Sequence, residues 1–153
     1  MKMIQLTIFL CTLTIFLLSP HFTVASDKSY NTPAGVWKTI DDKTGKVRSH
    51  IKIWEKKGVF YGKIIKLINP PKENPLCIKC KGNLYNKPVI GMVIIRNLKK
   101  DGDEWNGGTI LDPESGKKYK VFLKLQNNGY KLKLRGYIGI SLLGRTQYWY
   151  RLN

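Results

Sequence analysis

From Tyr130 to Asn153 the chain reads YKLKLRGYIGISLLGRTQYWYRLN. Tyr130, Leu132 and Leu134 alternate there with Lys131, Lys133 and Arg135, and beyond a Gly-punctuated bend Arg145, Gln147, Trp149 and Arg151 repeat the two-residue spacing. A period of two sends successive side chains to opposite faces of a strand, so the run predicts two amphipathic antiparallel strands. The same alternation recurs upstream, which implies one sheet that curls until its last strand meets its first.

The other six expected strands are joined to one another by short polar turns at every connection but one. Gly35–Ile40 leads through Asp41-Asp42-Lys43-Thr44-Gly45 into Val47–Trp54, and Lys56-Lys57-Gly58 leads into Val59–Ile68. Asp, Thr and Gly stand where turns favour them. Asn69–Lys87, with Pro70, Pro71, Pro75 and two cysteines, breaks the rhythm as a long connection with room for one short turn of helix. Strands at Val89–Leu98, Trp105–Leu111 and Lys118–Leu125 follow, the last two joined by Asp112-Pro113-Glu114-Ser115-Gly116, a strong turn sequence. Eight strands joined by mostly short turns predict an all-β, eight-stranded up-and-down antiparallel barrel, which leaves no sheet edge exposed. A two-sheet sandwich is the alternative.

Residues 1–25 read differently. A basic start at Lys2, an apolar stretch from Ile4 to Leu18 and small residues at Thr23-Val24-Ala25-Ser26 predict a secretory signal peptide cut after Ala25 or Ser26. The competing reading, an uncleaved anchor, is disfavoured because about 15 apolar residues fall short of the roughly 20 a spanning helix needs. Residues 26–33 are then a flexible lead-in and 34–153 the single domain, in an exported protein of the periplasm or the cell exterior. Lys2 is the only Lys, Arg, Asp or Glu before Ser26, so its removal takes the net charge from +17 to +16. Such an excess can draw a protein to anionic polymers or lipid headgroups. The plainer reading is a solubilising coat on outward strand positions. The basic residues are spread over many strands with no single-strand binding motif, which argues against nucleic acid as a partner.

Several segments occur together and in order: Gly35-Val36-Trp37, Trp54, Tyr61-Gly62, Cys77-Ile78-Lys79-Cys80, Pro88-Val89-Ile90-Gly91, Trp105-Asn106-Gly107-Gly108, Ile110-Leu111-Asp112-Pro113, Arg135-Gly136-Tyr137-Ile138-Gly139, and Gly144-Arg145-Thr146-Gln147 with Trp149. In that combination the chain resembles the bacterial domain-of-unknown-function 2147 family over about residues 34 to 152. The resemblance implies a small exported protein with a lipocalin-like (calycin) barrel, and it brings neither an established enzymatic activity nor a set of catalytic residues. A lipocalin-like arrangement also places an Arg of the last strand over the indole of a Gly-x-Trp on the first. Gly35 and Trp37 match that pattern, and Arg145 or Arg151 would supply the guanidinium, a structural cap made by stacking a cation on an aromatic face.

The expected function is binding of a small hydrophobic or amphipathic molecule inside the barrel. Its lining would be the alternating apolar faces, namely Val47, Ile51, Ile53, Tyr61 and Ile65 from the first half and Tyr119, Val121, Leu123, Leu132 and Leu134 from the second. Tyr61, Tyr119 and Arg135 are candidates to orient a polar head, although strict alternation points Arg135 outward. The same residues could equally serve only to fill the barrel. An envelope-associated protein that uses its charge without a small ligand is the alternative function; an inhibitor of lysozyme-type enzymes fits poorly, because those enzymes are usually basic too.

Cys77-x-x-Cys80 is the motif nearest to chemistry. In an exported chain a disulfide is the default. Thiol redox catalysis lacks a surrounding strand and helix of thioredoxin type, and zinc would find only half a tetrahedral site, with His50 the one histidine left after the leader. Asp41 with Asp42, and Asp101 with Asp103, sit in turns rather than across a cleft, and Asp112 also has a turn role to play. No catalytic residue, metal or cofactor is expected.

Overall fold

The computed structural model describes residues 28–152; the expected signal peptide lies outside the described residues. Eight antiparallel strands form a closed barrel in simple sequence order. They are β1 (Gly35–Ile40), β2 (Val47–Lys56), β3 (Val59–Leu67), β4 (Val93–Asp101), β5 (Glu104–Asp112), β6 (Lys117–Gln126), β7 (Lys131–Tyr137) and β8 (Gly144–Leu152). The closing seam pairs Trp37 with Arg151 and Thr39 with Trp149. The expected all-β, up-and-down architecture is the one observed. Among the described residues no helix is long and apolar enough to cross a membrane.

Alternation fixes the inner face on most strands. Trp37 pairs with Ile51, which pairs with Ile64; Leu123 pairs with Leu134, and Leu132 with Trp149. All of these side chains are buried, in one cluster with Ile53, Phe60, Ile95, Leu98, Trp105 and Val121. Burying a large apolar side chain contributes roughly 1.5–3 kcal/mol, so this cluster is the main stabilising element of the domain.

Three expectations are corrected on β2 and β3. Tyr61 and Ile65, expected inside, lie outside: Phe60, Gly62 and Ile64 are the buried residues of β3, Tyr61 stacks on Trp54 with ring centroids 5.7 Å apart, and Ile65 is exposed. The segment is apolar on both faces, and its inward set is interrupted by a glycine, so composition alone favours the wrong parity. A bulge opposite His50 and Ile51 then leaves Ile65 as the extra, unpaired residue. Val47 also leaves the inner set, because a second bulge places it opposite Ile40, where it is only half-buried.

The fourth strand begins at Val93 rather than Val89. Val89–Met92 instead turns, with the Met92 N–H donating to the Val89 carbonyl at 3.2 Å. The long connection before it contains one turn of 3₁₀ helix at Gly82–Leu84 and the Cys77–Cys80 disulfide. It docks on the β5–β6 turn: Cys77 Sγ lies 3.2 Å from the Pro113 carbonyl oxygen, and a Cβ on Gly116 would come within 1.8 Å of the Lys79 carbonyl oxygen. The connection thus covers the part of the outer wall where Ile94 and Leu111, outward by alternation, are nevertheless buried.

Candidate functional site

The two ends of the barrel are built from different residues. At one end Trp37 is sealed by Arg151, whose guanidinium carbon lies 4.3 Å from the Trp37 ring centroid and 4.1 Å from that of Tyr30. Arg151 donates to three carbonyls, from Nε to Gly129 at 2.8 Å, from Nη1 to Ala34 at 2.7 Å and from Nη2 to Thr32 at 2.8 Å. Burial among these groups lowers its pKa from the ordinary arginine value, partly offset by Tyr30 and Tyr130. It remains charged at any physiological pH. Of the two arginines the spacing allowed, Arg151 is therefore the one on the indole.

The glycine of Gly-x-Trp has a direct reason. Gly35 has φ +140°, and a Cβ there would stand 2.3 Å from Arg151 Nη1, so only glycine leaves room for the guanidinium. The lead-in also belongs to this end: the Tyr30 N–H donates to Asn128 at 2.9 Å, Tyr30 packs edge-on against Tyr130, and Trp37 Nε1 donates to the Pro33 carbonyl at 2.8 Å. Residues 30–33, expected to be flexible, form the floor.

Arg145 lies at the opposite end, the mouth, where the β1–β2, β3–β4, β5–β6 and β7–β8 connections gather. Its Nε donates to Asp42 Oδ2 at 2.7 Å, and its Nη2 contacts the same oxygen. Gln147 Nε2 approaches that carboxylate at 3.5 Å, and Trp149 Nε1 reaches Gln147 Oε1, also at 3.5 Å. A polar row thus descends from the rim towards the buried Trp149. Thr39 and Ser49, buried and joined by a 2.8 Å hydroxyl hydrogen bond, extend the polar side.

The mouth also has an apolar side. Ile110 pairs with Tyr119, and Val121 with Gly136. A Cβ on Gly136 would sit 3.5 Å from Tyr119 Cβ and 3.7 Å from Ile110 Cγ2, which places all three residues on one inner surface at ordinary contact distance. Ile110, Tyr119 and Gly136 are only half-buried, whereas Val121 and Leu123 below them are buried. The inner residues nearest the mouth are thus apolar along β5 to β7 and polar along β8 and β1, and they are less buried than the residues below them.

Several expected site residues fall elsewhere. Ile51, Ile53, Val121, Leu123, Leu132 and Leu134 face inward but are packed against one another as core. Tyr119 alone of the expected lining reaches the mouth. Tyr61 lines a shallow hollow on the outer wall with Val59, Asn97 and Asn106. Arg135 is outward and occupied, donating to Ser141 and Leu142 carbonyls at 2.8 and 3.0 Å and to Thr146 Oγ1 at 2.8 Å, so it braces the β7–β8 loop and does not orient a bound head. Asp112 accepts from the Glu114 N–H and from Ser115 Oγ within its turn. Asp42, Ile110 and Gly136 were missed; the signal for Gly136 was its place in the inward set of Leu132 and Leu134.

His50 stands on the outer wall in register with Lys38 and Lys66. Burial and the two cations hold its pKa below the ordinary histidine value. Among the described residues, no three of His, Cys, Asp and Glu come together in a group that could hold a metal ion. One buried polar side-chain atom among them, Trp105 Nε1, lacks a hydrogen-bond partner.

Comparison with known proteins agrees with this geometry. No curated protein matches the chain. The fold is similar to a solved structure described as protein HP1028 from the human pathogen Helicobacter pylori, which belongs to the lipocalin family; identity is 24%, the match covers 80% of this chain and 84% of that one, and the TM-score is 0.70. At that identity the likeness is one of fold. A family model described as an uncharacterized protein conserved in bacteria, DUF2147, matches residues 35–151, from the glycine beneath Arg151 to Arg151 itself, and the chain belongs to that family.

Proposed function

We propose that this is an exported, lipocalin-like binding protein that holds a small hydrophobic or amphipathic molecule at the mouth of its barrel and catalyses no reaction. The observation that carries the reading is the change of packing along the axis. The floor and middle are filled by Trp37, Trp105, Trp149 and the aliphatic residues between them, while Ile110, Tyr119 and Gly136 leave apolar inner surface accessible beside Asp42, Arg145 and Gln147. Pockets that combine apolar walls with a few convergent polar groups are the usual form of small-molecule sites. The filled lower barrel favours a ligand that inserts an apolar end shallowly and leaves a polar head on the β8 side. The lipocalin description of the structural neighbour supports a binding role, and the basic, apolar leader at Met1–Ala25 supports export.

Native mass spectrometry and solvent extraction of the protein purified from its exporting host test the reading. A bound small molecule is expected in the wild type and absent from Gly136→Leu, whose Cβ meets only ordinary contacts and whose longer side chain would occupy the inner surface beside Ile110 and Tyr119. A wild-type protein with nothing bound, and no competing apolar probe able to bind, would remove the proposal. Export is checked by the N-terminus of the purified protein, expected at Ser26 or Asp27.

A further inference from the structure

The distribution of exposed apolar side chains is as uneven as the interior. On the β7–β8 loop, Ile138 and Ile140 are 60% and 61% exposed, and Leu142 and Leu143 are 80% and 73% exposed. Leu76, Ile78 and Tyr85, on the β3–β4 connection at the same end, are exposed as well. Four large aliphatic residues within six positions, with their side chains in water, are costly unless something covers them. The loop is not slack. Arg135 holds it from below through the Ser141 and Leu142 carbonyls, and the Leu143 N–H closes a turn on the Ile140 carbonyl at 3.2 Å. That bracing presents the leucines outward on a fixed tip.

The surroundings of the tip are basic. Lys120 pairs with Tyr137 at the base of the loop, Lys117 and Lys118 precede it on β6, and Lys43 and Lys46 lie on the β1–β2 turn that Asp42 joins to Arg145; all five lysines are exposed. Of the carboxylates at this end, Glu73 on the β3–β4 connection is exposed, and the four nearest the loop are engaged. Asp42 is paired with Arg145 and Glu114 with Arg48, and Asp41 and Asp112 accept hydrogen bonds within their own turns. A protruding apolar tip ringed by exposed lysines is complementary to an anionic bilayer, in which aliphatic groups enter the acyl boundary and cations meet the headgroups. A second copy of this chain would instead bring the same lysines against one another, and the projecting leucines form no groove for a partner's segment.

We propose that the β7–β8 loop is a membrane-docking tip that seats the barrel, mouth downward, on anionic lipid surfaces. This inference does not depend on the ligand reading. If both hold, the half-buried inner surface beside Tyr119 and Gly136 faces the bilayer, so an amphipathic molecule could pass between membrane and barrel without crossing water.

Co-sedimentation with vesicles tests it, using phosphatidylglycerol mixed with phosphatidylcholine against phosphatidylcholine alone. The wild type is expected to bind the anionic vesicles, less strongly as salt rises, and to bind the neutral ones weakly. The double variant Leu142→Ser, Leu143→Ser is expected to lose about tenfold or more in partitioning while its thermal melt stays unchanged, since both side chains are in solvent. Gly136→Leu is expected to keep vesicle binding, which separates docking from ligand capture. Equal binding by the double variant and the wild type would reduce the effect to the charge coat and overturn the proposal. So would absence of wild-type binding, or a wild-type dimer that the double variant dissociates.

Discussion

The floor and the mouth of this barrel each carry an arginine of the same strand, six residues apart, and the two are used in opposite ways. Arg151 serves structure: its guanidinium lies over Trp37 and Tyr30, and three of its nitrogens donate to the carbonyls of Thr32, Ala34 and Gly129. Arg145 is exposed, with Asp42 as its partner, beside residues that leave inner surface open. An exposed pair of this kind is worth little to stability, whereas removing a group that satisfies several carbonyls and an aromatic face is costly. Satisfied hydrogen bonds and close packing are concentrated at one end, and half-buried inner residues at the other.

The largest test of that division is Trp37→Ala. It removes the floor indole and leaves Arg151 with only the Tyr30 ring, so a loss of about 3–5 kcal/mol is expected in chemical denaturation. A loss below about 1 kcal/mol would mean that the floor is not the stabilising end. A matched pair of glycines comes next. Gly108 sits where a Cβ would be 2.4 Å from the Arg96 carbonyl oxygen, while the same atom on Gly136 finds only ordinary contacts. Gly108→Ala should therefore cost about 1–3 kcal/mol, as overpacking does, and Gly136→Ala little. Equal effects on the denaturation midpoint would erase the packing contrast between the middle and the mouth.

The third test bears on the cover of the outer wall. Replacing Cys77 and Cys80 together by Ser opens a loop whose closure is worth about 2 kcal/mol on a chain-entropy estimate. The loss should be accompanied by faster backbone hydrogen exchange in the β3–β4 connection than at the floor. The smallest effect belongs to His50. Its folded pKa lies below the ordinary value of 6.5, chiefly through burial and then through Lys66 and Lys38. The folded state therefore binds fewer protons than the unfolded one between the two pKa values. Stability is full above about pH 6.5 and declines as pH falls through that window. His50→Gln should flatten this slope in urea titrations at successive pH values; an unchanged slope would assign it to other groups.

How much could be read in advance varied with the kind of strand. On β6 and β7, Lys118, Lys120, Lys124, Lys131, Lys133 and Arg135 mark the outward positions with only Phe122 among them, so Val121, Leu123, Leu132 and Leu134 declare their face. On β3 the polar markers fail: Val59-Phe60-Tyr61-Gly62-Lys63-Ile64-Ile65 is apolar on both sides, an inward glycine hides the parity, and a bulge resets it. The outer-wall burial of Ile94 and Leu111 was likewise invisible, because it depends on where the Cys77–Cys80 connection lies down. The mouth was only partly legible. Arg145, Gln147, Trp149 and Arg151 could be placed on one face by their spacing, but not at one end or the other.

Local rules of period and turn chemistry thus determined by themselves that this chain forms eight strands in sequential hairpins, and most of their faces, since those properties depend on neighbours one or two residues away; the closing β1–β8 seam joins residues more than a hundred positions apart and needed the tertiary structure. The tertiary structure alone decided which arginine meets Trp37, which parity β3 adopts and which part of the interior stays accessible. Each of these depends on the tilt and register of strands distant in sequence. In a closed barrel, two residues of identical parity can lie at opposite ends of the axis, as Arg145 and Arg151 do.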